Sequence, residues 1–194
     1  MSTAAAPRGL APELRQLLLG LARESLAARL RGAGRPRSTS DDPALDEPRG
    51  AFVTLRRRSD GDLRGCVGIV EPRLPLREAV PDAAEAAAFR DRRFSPVQAH
   101  ELDALSVQVS VLGPLQPAAP EEVEVGVHGL VVRRGAQAGL LLPQVAVEQG
   151  WDREAFLSHT CRKAGLDIAS WRSASCSVYV FTAECFGEDD ATSR

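Results

Sequence analysis

Three segments of the chain alternate hydrophobic and polar residues, which is typical of strands with one buried face. They are residues 63–70, 105–112 and 123–128. The apolar sides carry Leu63, Val67, Ile69, Leu105, Val107, Val109, Val111, Val123, Val125 and Val127. The opposite sides carry Arg64, Cys66, Gly68, Ser106, Gln108, Ser110, Glu124, Gly126 and His128. If all three apolar sides cover one core, the polar side chains share the other face of one sheet.

The remaining pattern predicts a mixture of helices and strands without a regular βαβ rhythm. Further strands are predicted at 51–55, 130–132, 140–142 and 177–185. Helices are predicted at 12–31, 75–89, 95–102, 145–148 and 152–164, with Pro81 expected to kink or split the second. The fold class is therefore α+β, with a mixed, largely antiparallel sheet flanked by helices.

Three polar or small-residue segments mark the expected boundaries of one domain over residues 12–187. Residues 1–11 are expected to be a disordered leader, and residues 188–194 a flexible tail. Residues 32–50 are rich in Arg, Pro, Ser and Asp, so we expect a long surface loop there.

Composition excludes several classes of function. The 24 basic and 26 acidic residues nearly cancel, and only 5% of residues are aromatic, so the chain lacks the usual field and stacking surface for nucleic acid. No apolar run approaches the ~18–20 residues that cross a bilayer. The four cysteines form no Cys-x-x-Cys pair, which argues against a zinc or disulfide framework. We expect a cytoplasmic chain with no metal and no cofactor.

The polar strand faces hold the candidate chemistry. The expected common face would gather Arg64, Cys66, Ser110, Glu124 and His128. A guanidinium lowers the pKa of a nearby thiol, so Cys66 is a candidate nucleophile, with His128 as base and Glu124 to orient it. Each residue also has a structural interpretation: Cys66 as a small core residue, Arg64 in an ion pair, and His128 as a bonded imidazole.

Several motifs in order along the chain resemble the AMMECR family, known as AmmeMemoRadiSam system protein A. Leu63-Arg64-Gly65-Cys66-Val67-Gly68 is similar to the family hallmark. Asp91-Arg92-Arg93-Phe94-Ser95-Pro96 and Glu124-Val125-Gly126-Val127-His128-Gly129-Leu130 follow, then Leu142-Pro143-Gln144-Val145-Ala146 and Cys161-Arg162-Lys163-Ala164-Gly165-Leu166. The similarity spans roughly residues 12–187.

The resemblance implies an α+β domain of two intimate lobes with a cleft beside the hallmark. It also implies two protein partners, a Memo-type protein and a radical S-adenosylmethionine enzyme. The binding residues that it suggests are Arg64, Gly65, Gly68, Asp91, Arg93, Phe94 and Gly129, and the strand pattern adds Ser110. The family has no established reaction. Two functions stay open: a thiol-based enzyme or covalent carrier that uses Cys66, and a non-catalytic adaptor or ligand-binding module in which Cys66 is structural.

Overall fold

The computed structural model describes residues 9–192, and the α+β class is confirmed. The chain divides into two compact units. The first contains residues up to Leu112 and those from Glu184 onward, and the second is Gly113–Ala183. Each unit is organised around one four-stranded sheet whose assigned strand pairs are antiparallel.

The first unit packs helices on one face of its sheet. Its elements are α1 (Pro12–Leu30), β1 (Ala51–Arg57), β2 (Leu63–Ile69), α2 (Leu76–Phe89), β3 (Leu105–Leu112) and β8 (Ala183–Gly187), the last beginning at the unit boundary. The strand order is β2-β1-β3-β8, so β2 is an edge strand. Val53 of β1 pairs with Val67 and with Val109, and these valines face the core with α2. The alternation predicted for β2 and β3 therefore points inward as expected.

The second unit packs a helix against a smaller sheet. Its elements are β4 (Gln116–Pro117), β5 (Gly129–Arg134), β6 (Gln137–Leu141), α3 (Pro143–Glu148), α4 (Arg153–Lys163) and β7 (Ser177–Phe181), with strand order β4-β7-β5-β6. Helix α4 begins where predicted, because the Asp152 carboxylate accepts the Ala155 N–H at 2.8 Å. Phe156 and Leu157 of α4 are fully buried against Leu130 of β5.

The strand predicted at 123–128 is wrong. Residues 120–122 form a 3-10 helix, and a turn follows before β5 begins at Gly129. Gly126 has φ +85°, a left-handed conformation that interrupts a strand, and Val125 and Val127 are exposed. The single face expected to gather Cys66 with Glu124 and His128 is therefore not formed, since this segment belongs to the second unit.

Other boundaries also differ from the predicted ones. The strand expected at 177–185 is two strands in different sheets, because the chain leaves β7 at Phe181 and enters β8 at Ala183. Pro81 does not split α2, which is continuous. The helix expected at 95–102 is a 3-10 helix, Ala99–Ala104. Its N-cap is Gln98, whose N–H is bonded by Glu101 at 2.7 Å.

The expected loop and tail are more ordered than their composition indicates. Within the polar stretch 32–50, Leu45 is fully buried in the core and lies in a 3-10 helix. Residues Glu188–Thr192 also form a 3-10 helix, anchored by ion pairs from Glu188 to Arg23 and Arg58. Most of the expected leader, residues 1–8, lies outside the described residues. Leu10 is buried, and its N–H donates to the Glu184 carboxylate.

Candidate functional site

The candidate site is built on the outer edge of β2, where the chain after α2 returns to the strand. The Asp91 carboxylate accepts the backbone N–H of Cys66 at 2.9 Å. The Arg93 guanidinium donates to the Cys66 carbonyl at 3.3 Å. Both main-chain groups of Cys66 are therefore bonded away from β1, so Thr54 and Cys66 form a non-hydrogen-bonded pair. The loop caps the edge strand at this one residue.

Asp91 and Arg93 form a rigid pair. Two guanidinium nitrogens of Arg93 reach the two Asp91 oxygens at 2.9 and 2.6 Å. Only 6% of the Asp91 side chain is exposed, against 56% of Arg93. The hydrogen bonds from Arg93 and the Cys66 N–H hold the pKa of Asp91 well below its usual range, although burial opposes them. The same pairing raises the pKa of Arg93. These two predicted site residues are brought together with Cys66.

Arg64 is a buried structural cation. Its guanidinium binds both Glu101 oxygens, at 2.9 and 3.1 Å, and donates to the Ser95 carbonyl at 3.0 Å. The Arg64 hydrogen bonds lower the pKa of Glu101. The ion-pair interpretation of Arg64 is therefore confirmed. Phe94 lies between two guanidinium groups, with its ring centroid 6.0 Å from Arg64 Cζ and 5.4 Å from Arg93 Cζ.

The Cys66 sulfur is half-buried and lies beside a hydroxyl. Thr54 Oγ1 donates to Cys66 Sγ at 3.3 Å across the β1–β2 pair. Opposite residues of a non-hydrogen-bonded pair approach closely, which brings these two side chains into contact. Thr54 was not among the predicted site residues. The hairpin turn at 59–61 was the available signal, because it fixes the register that places residue 54 opposite residue 66.

The two glycines near Cys66 lie where neighbouring backbone leaves no room for a side chain. A Cβ on Gly65 would lie 2.2 Å from the Ala87 carbonyl oxygen, so this glycine lets α2 approach the strand. A Cβ on Gly68 would lie 2.2 Å from the Ala51 carbonyl oxygen and 2.5 Å from the Phe52 ring. Both glycines are therefore positions of close packing against neighbouring backbone.

Ser110 lies on the same sheet face as Thr54 but contacts a different cysteine. Its partner on β1 is Phe52, and its hydroxyl lies 3.3 Å from Cys185 Sγ of β8. Strand β1 lies between β3, which carries Ser110, and β2, which carries Cys66. The two residues are therefore not on neighbouring strands.

The two predicted catalytic residues of the second unit form a turn with each other. The Glu124 N–H donates to His128 Nδ1 at 3.1 Å, and the His128 N–H donates to the Glu124 carbonyl at 2.9 Å. An accepting Nδ1 leaves the ring proton on Nε2 when the imidazole is neutral. The main chain of Glu124 therefore orients the His128 ring, whereas the Glu124 side chain is exposed. Gly129 packs against the Phe181 ring, 2.3 Å from where a Cβ would be.

A groove runs along the edge of β2 beyond the Asp91–Arg93 cap. It encloses about 270 Å³ between β2 and α2. The apolar lining is Val67, Ile69, Ala79, Ala83 and Ala86. Asp82 and Arg90, which form an ion pair at 3.0 Å, supply its charged side chains, and Gly68 contributes backbone.

The described residues contain neither a metal-binding cluster nor a membrane-spanning helix. Within residues 9–192 no three His, Cys, Asp or Glu side chains are grouped so as to hold a metal ion. No helix in that range has the length and apolar character needed to span a membrane.

Comparisons with known proteins agree over nearly the whole chain. The model of the AMMECR1 family matches residues 19–186. Protein MK0488 of Methanopyrus kandleri is 44% identical over 183 residues, which cover 90% of this chain and 88% of that protein. A Methanothermobacter thermautotrophicus protein is 46% identical over 180 residues, covering 89% and 93%. The crystal structure of the uncharacterized protein PH0010 from Pyrococcus horikoshii has a TM-score of 0.87 and 43% identity, covering 93% of this chain and 94% of that one.

Proposed function

The chain belongs to the AMMECR1 family, and we propose that it is a binding module whose β2 edge receives an extended peptide segment of a partner protein. The observation that carries this proposal is the contrast between two residues of that edge. The outward N–H of Cys66 donates to Asp91, and its C=O accepts from Arg93. The N–H and C=O of Gly68, two residues further along β2, also point outward, and no group in the described part of the chain forms a hydrogen bond with them.

The strand periodicity supports this assignment. Residues 66 and 68 are both in non-hydrogen-bonded pairs with β1, so their main-chain groups point away from the sheet. Unpaired edge groups are the template for strand addition, in which main-chain hydrogen bonds give affinity and side-chain pockets give specificity. The Asp91–Arg93 cap limits the added strand to the stretch from Gly68 onward.

The groove next to Gly68 supports a peptide over a whole small molecule. Its volume of about 270 Å³ is just below the ~300–1,000 Å³ of typical small-molecule sites. Alanines of α2 form much of its apolar wall, beside Val67 and Ile69. An added strand would place alternate side chains into this wall, so we expect aliphatic residues at every second position of the ligand.

The test is selection of peptides from a displayed random library on the full chain, followed by affinity measurements on variants. Ile69→Glu places a charge in the groove, and Ile168→Glu makes the same change at an exposed isoleucine of the second unit. We expect Ile69→Glu to weaken binding at least about tenfold and Ile168→Glu to leave it unchanged. N-methylation of alternate peptide amides should also abolish binding. Selected peptides that bind both variants equally would contradict the proposal.

The partners implied by the family resemblance, a Memo-type protein and a radical S-adenosylmethionine enzyme, are the proposed sources of the segment. Each would be titrated with the wild-type chain and the two isoleucine variants. If Ile69→Glu removes the binding of a partner and Ile168→Glu retains it, that partner is supported as the source of the segment. Binding that survives Ile69→Glu assigns that partner to another surface.

A second candidate function is thiol chemistry at Cys66. It is favoured by the half-buried sulfur and the Thr54 hydroxyl that donates to it. In this candidate Cys66 is the nucleophile or the covalent carrier. Cys66→Ala separates the two functions. A binding module keeps its peptide affinity with alanine at 66, whereas a carrier loses its covalent adduct, which mass spectrometry of the native protein would detect.

A further inference from the structure

Two cysteines of the second unit lie in contact, away from the β2 edge. Cys161 is on α4 and is fully buried, and Cys176 is half-buried in the turn just before β7. Cys176 packs on the core cluster that contains Cys161, and each thiol shifts the pKa of the other. Neither is in a disulfide. Fifteen positions apart in sequence, they join the helix to the turn.

Only one of the two sulfurs has a route to solvent molecules. Cys176 lines an open cavity of about 640 Å³ together with Trp171, Arg172 and Glu154. Cys161 does not line it and has no exposed surface. A reagent in the cavity therefore meets Cys176 first, and Cys161 is placed behind it as the second thiol.

We propose that Cys161 and Cys176 are a redox modification site that forms a reversible disulfide with a low-molecular-weight disulfide as oxidant. The Cys176 thiolate attacks one sulfur of the oxidant, which releases one thiol and leaves a mixed disulfide on Cys176. Cys161 then loses its proton to solvent and attacks the Cys176 sulfur, which releases the second thiol. Two protein thiols are oxidised, and the oxidant disulfide is reduced to two thiols.

The surroundings of Cys161 and Cys176 make the oxidation of these two thiols selective but slow. Burial raises the pKa of both thiols, so the thiolate is scarce near neutral pH. Arg134 opposes this effect at both sulfurs, and the Trp171 backbone N–H also lowers the pKa of Cys161. The second step gains most from the geometry, because a thiol already in contact reacts as an intramolecular group.

Closing the bond requires a small movement, which the turn can supply. A disulfide needs about 2.05 Å between its two sulfurs, which is closer than two thiols that only pack against each other. Cys176 follows three exposed residues, Ser173, Ala174 and Ser175, and its N–H is bonded to the Ser173 carbonyl. Exposed turn residues can shift with little loss of packing, whereas Cys161 is fixed in the core on α4.

The test is equilibration of the full chain in glutathione buffers, with glutathione disulfide as the probe, followed by alkylation and peptide mapping. We expect a Cys161–Cys176 disulfide, so that these two of the four cysteines lose alkylation, and recovery of both on return to reduced glutathione. Cys161→Ala should stop at the mixed disulfide on Cys176. Cys176→Ala should leave Cys161 reduced.

Two outcomes would overturn the proposal. One is a wild-type chain that accumulates the mixed disulfide on Cys176 as Cys161→Ala does. The other is a chain in which neither Cys161 nor Cys176 is oxidised while the exposed Cys185 is modified. Trp171 emission in a Trp151→Phe background gives a second readout, because the Trp171 backbone bonds the Cys161 sulfur. Both cysteines of the proposed disulfide lie in the second unit, so its formation is independent of peptide binding at β2.

Discussion

Replacing Gly65 by alanine tests whether the hallmark glycine has a packing role. A Cβ at this position would lie 2.2 Å from the Ala87 carbonyl oxygen and 3.0 Å from its carbonyl carbon. These are backbone atoms of α2, so no side-chain rotation relieves the clash, and the helix must move by about 1 Å. Gly65 does not have a positive φ, so alanine adds no backbone strain of its own. The whole cost is therefore steric.

Overpacking of this kind costs about 1–3 kcal/mol, and we expect Gly65→Ala to lose about 2 kcal/mol, a factor of about 30 in the unfolding equilibrium. The matched control is Gly20→Ala at an exposed position of helix α1, where a Cβ has no neighbour within 4 Å. This control should gain about 1 kcal/mol from helix propensity. Urea denaturation of both variants gives the two free energies of unfolding. A Gly65→Ala chain as stable as wild type would refute the close approach of α2 to β2.

Three further predictions concern the residues around Cys66 and His128. In urea denaturation Glu101→Ala should destabilise the fold by about 3 kcal/mol and Arg64→Met by less, and equal losses would contradict this prediction. The reason is that Arg64 is the more buried partner, so that its guanidinium cannot be hydrated once Glu101 is removed. The pKa of Asp91 is lowered in the folded chain, so its contribution to the free energy of unfolding is complete above about pH 5 and is lost as pH falls. The difference in this free energy between wild type and Asp91→Asn should therefore shrink below about pH 4, and a constant difference from pH 7 to pH 3 would contradict the prediction. His128→Ala removes one side-chain acceptor from the Glu124 N–H and should cost about 1 kcal/mol in thermal unfolding, whereas a carboxylate-oriented imidazole would instead make Glu124→Gln equally costly.

The strand faces of the first sheet could be predicted because the apolar side chains of β3 recur with a period of two. Val107 and Val109 are fully buried, and Ser110 lies on the opposite side, as their alternation indicated. The same alternation misled at residues 123–128, where Val123 is buried but Val125 and Val127 are exposed and Gly126 adopts a left-handed turn. Periodicity reports which residues share a side, but it does not report whether a core covers that side.

The contacts of the candidate site were less accessible to sequence reasoning. The grouping of Asp91 and Arg93 with Cys66 came from motifs of a known family, and the structure gives it a physical basis in two main-chain hydrogen bonds. Glu101, the partner of Arg64, is 37 positions away in sequence and carries no local signal. The division of 177–185 between two sheets was also invisible, because a strand that changes sheets keeps its alternation.

The most direct test of the β2 edge is amide hydrogen exchange measured by NMR at two residues. In the free chain the Cys66 amide, bonded to Asp91, should exchange slowly, and the Gly68 amide should exchange quickly. Addition of a library-selected peptide should slow the Gly68 amide at least about tenfold and leave Cys66 unchanged. A Gly68 amide that is already protected in the free chain, or that is unaffected by bound peptide, would contradict strand addition at this edge.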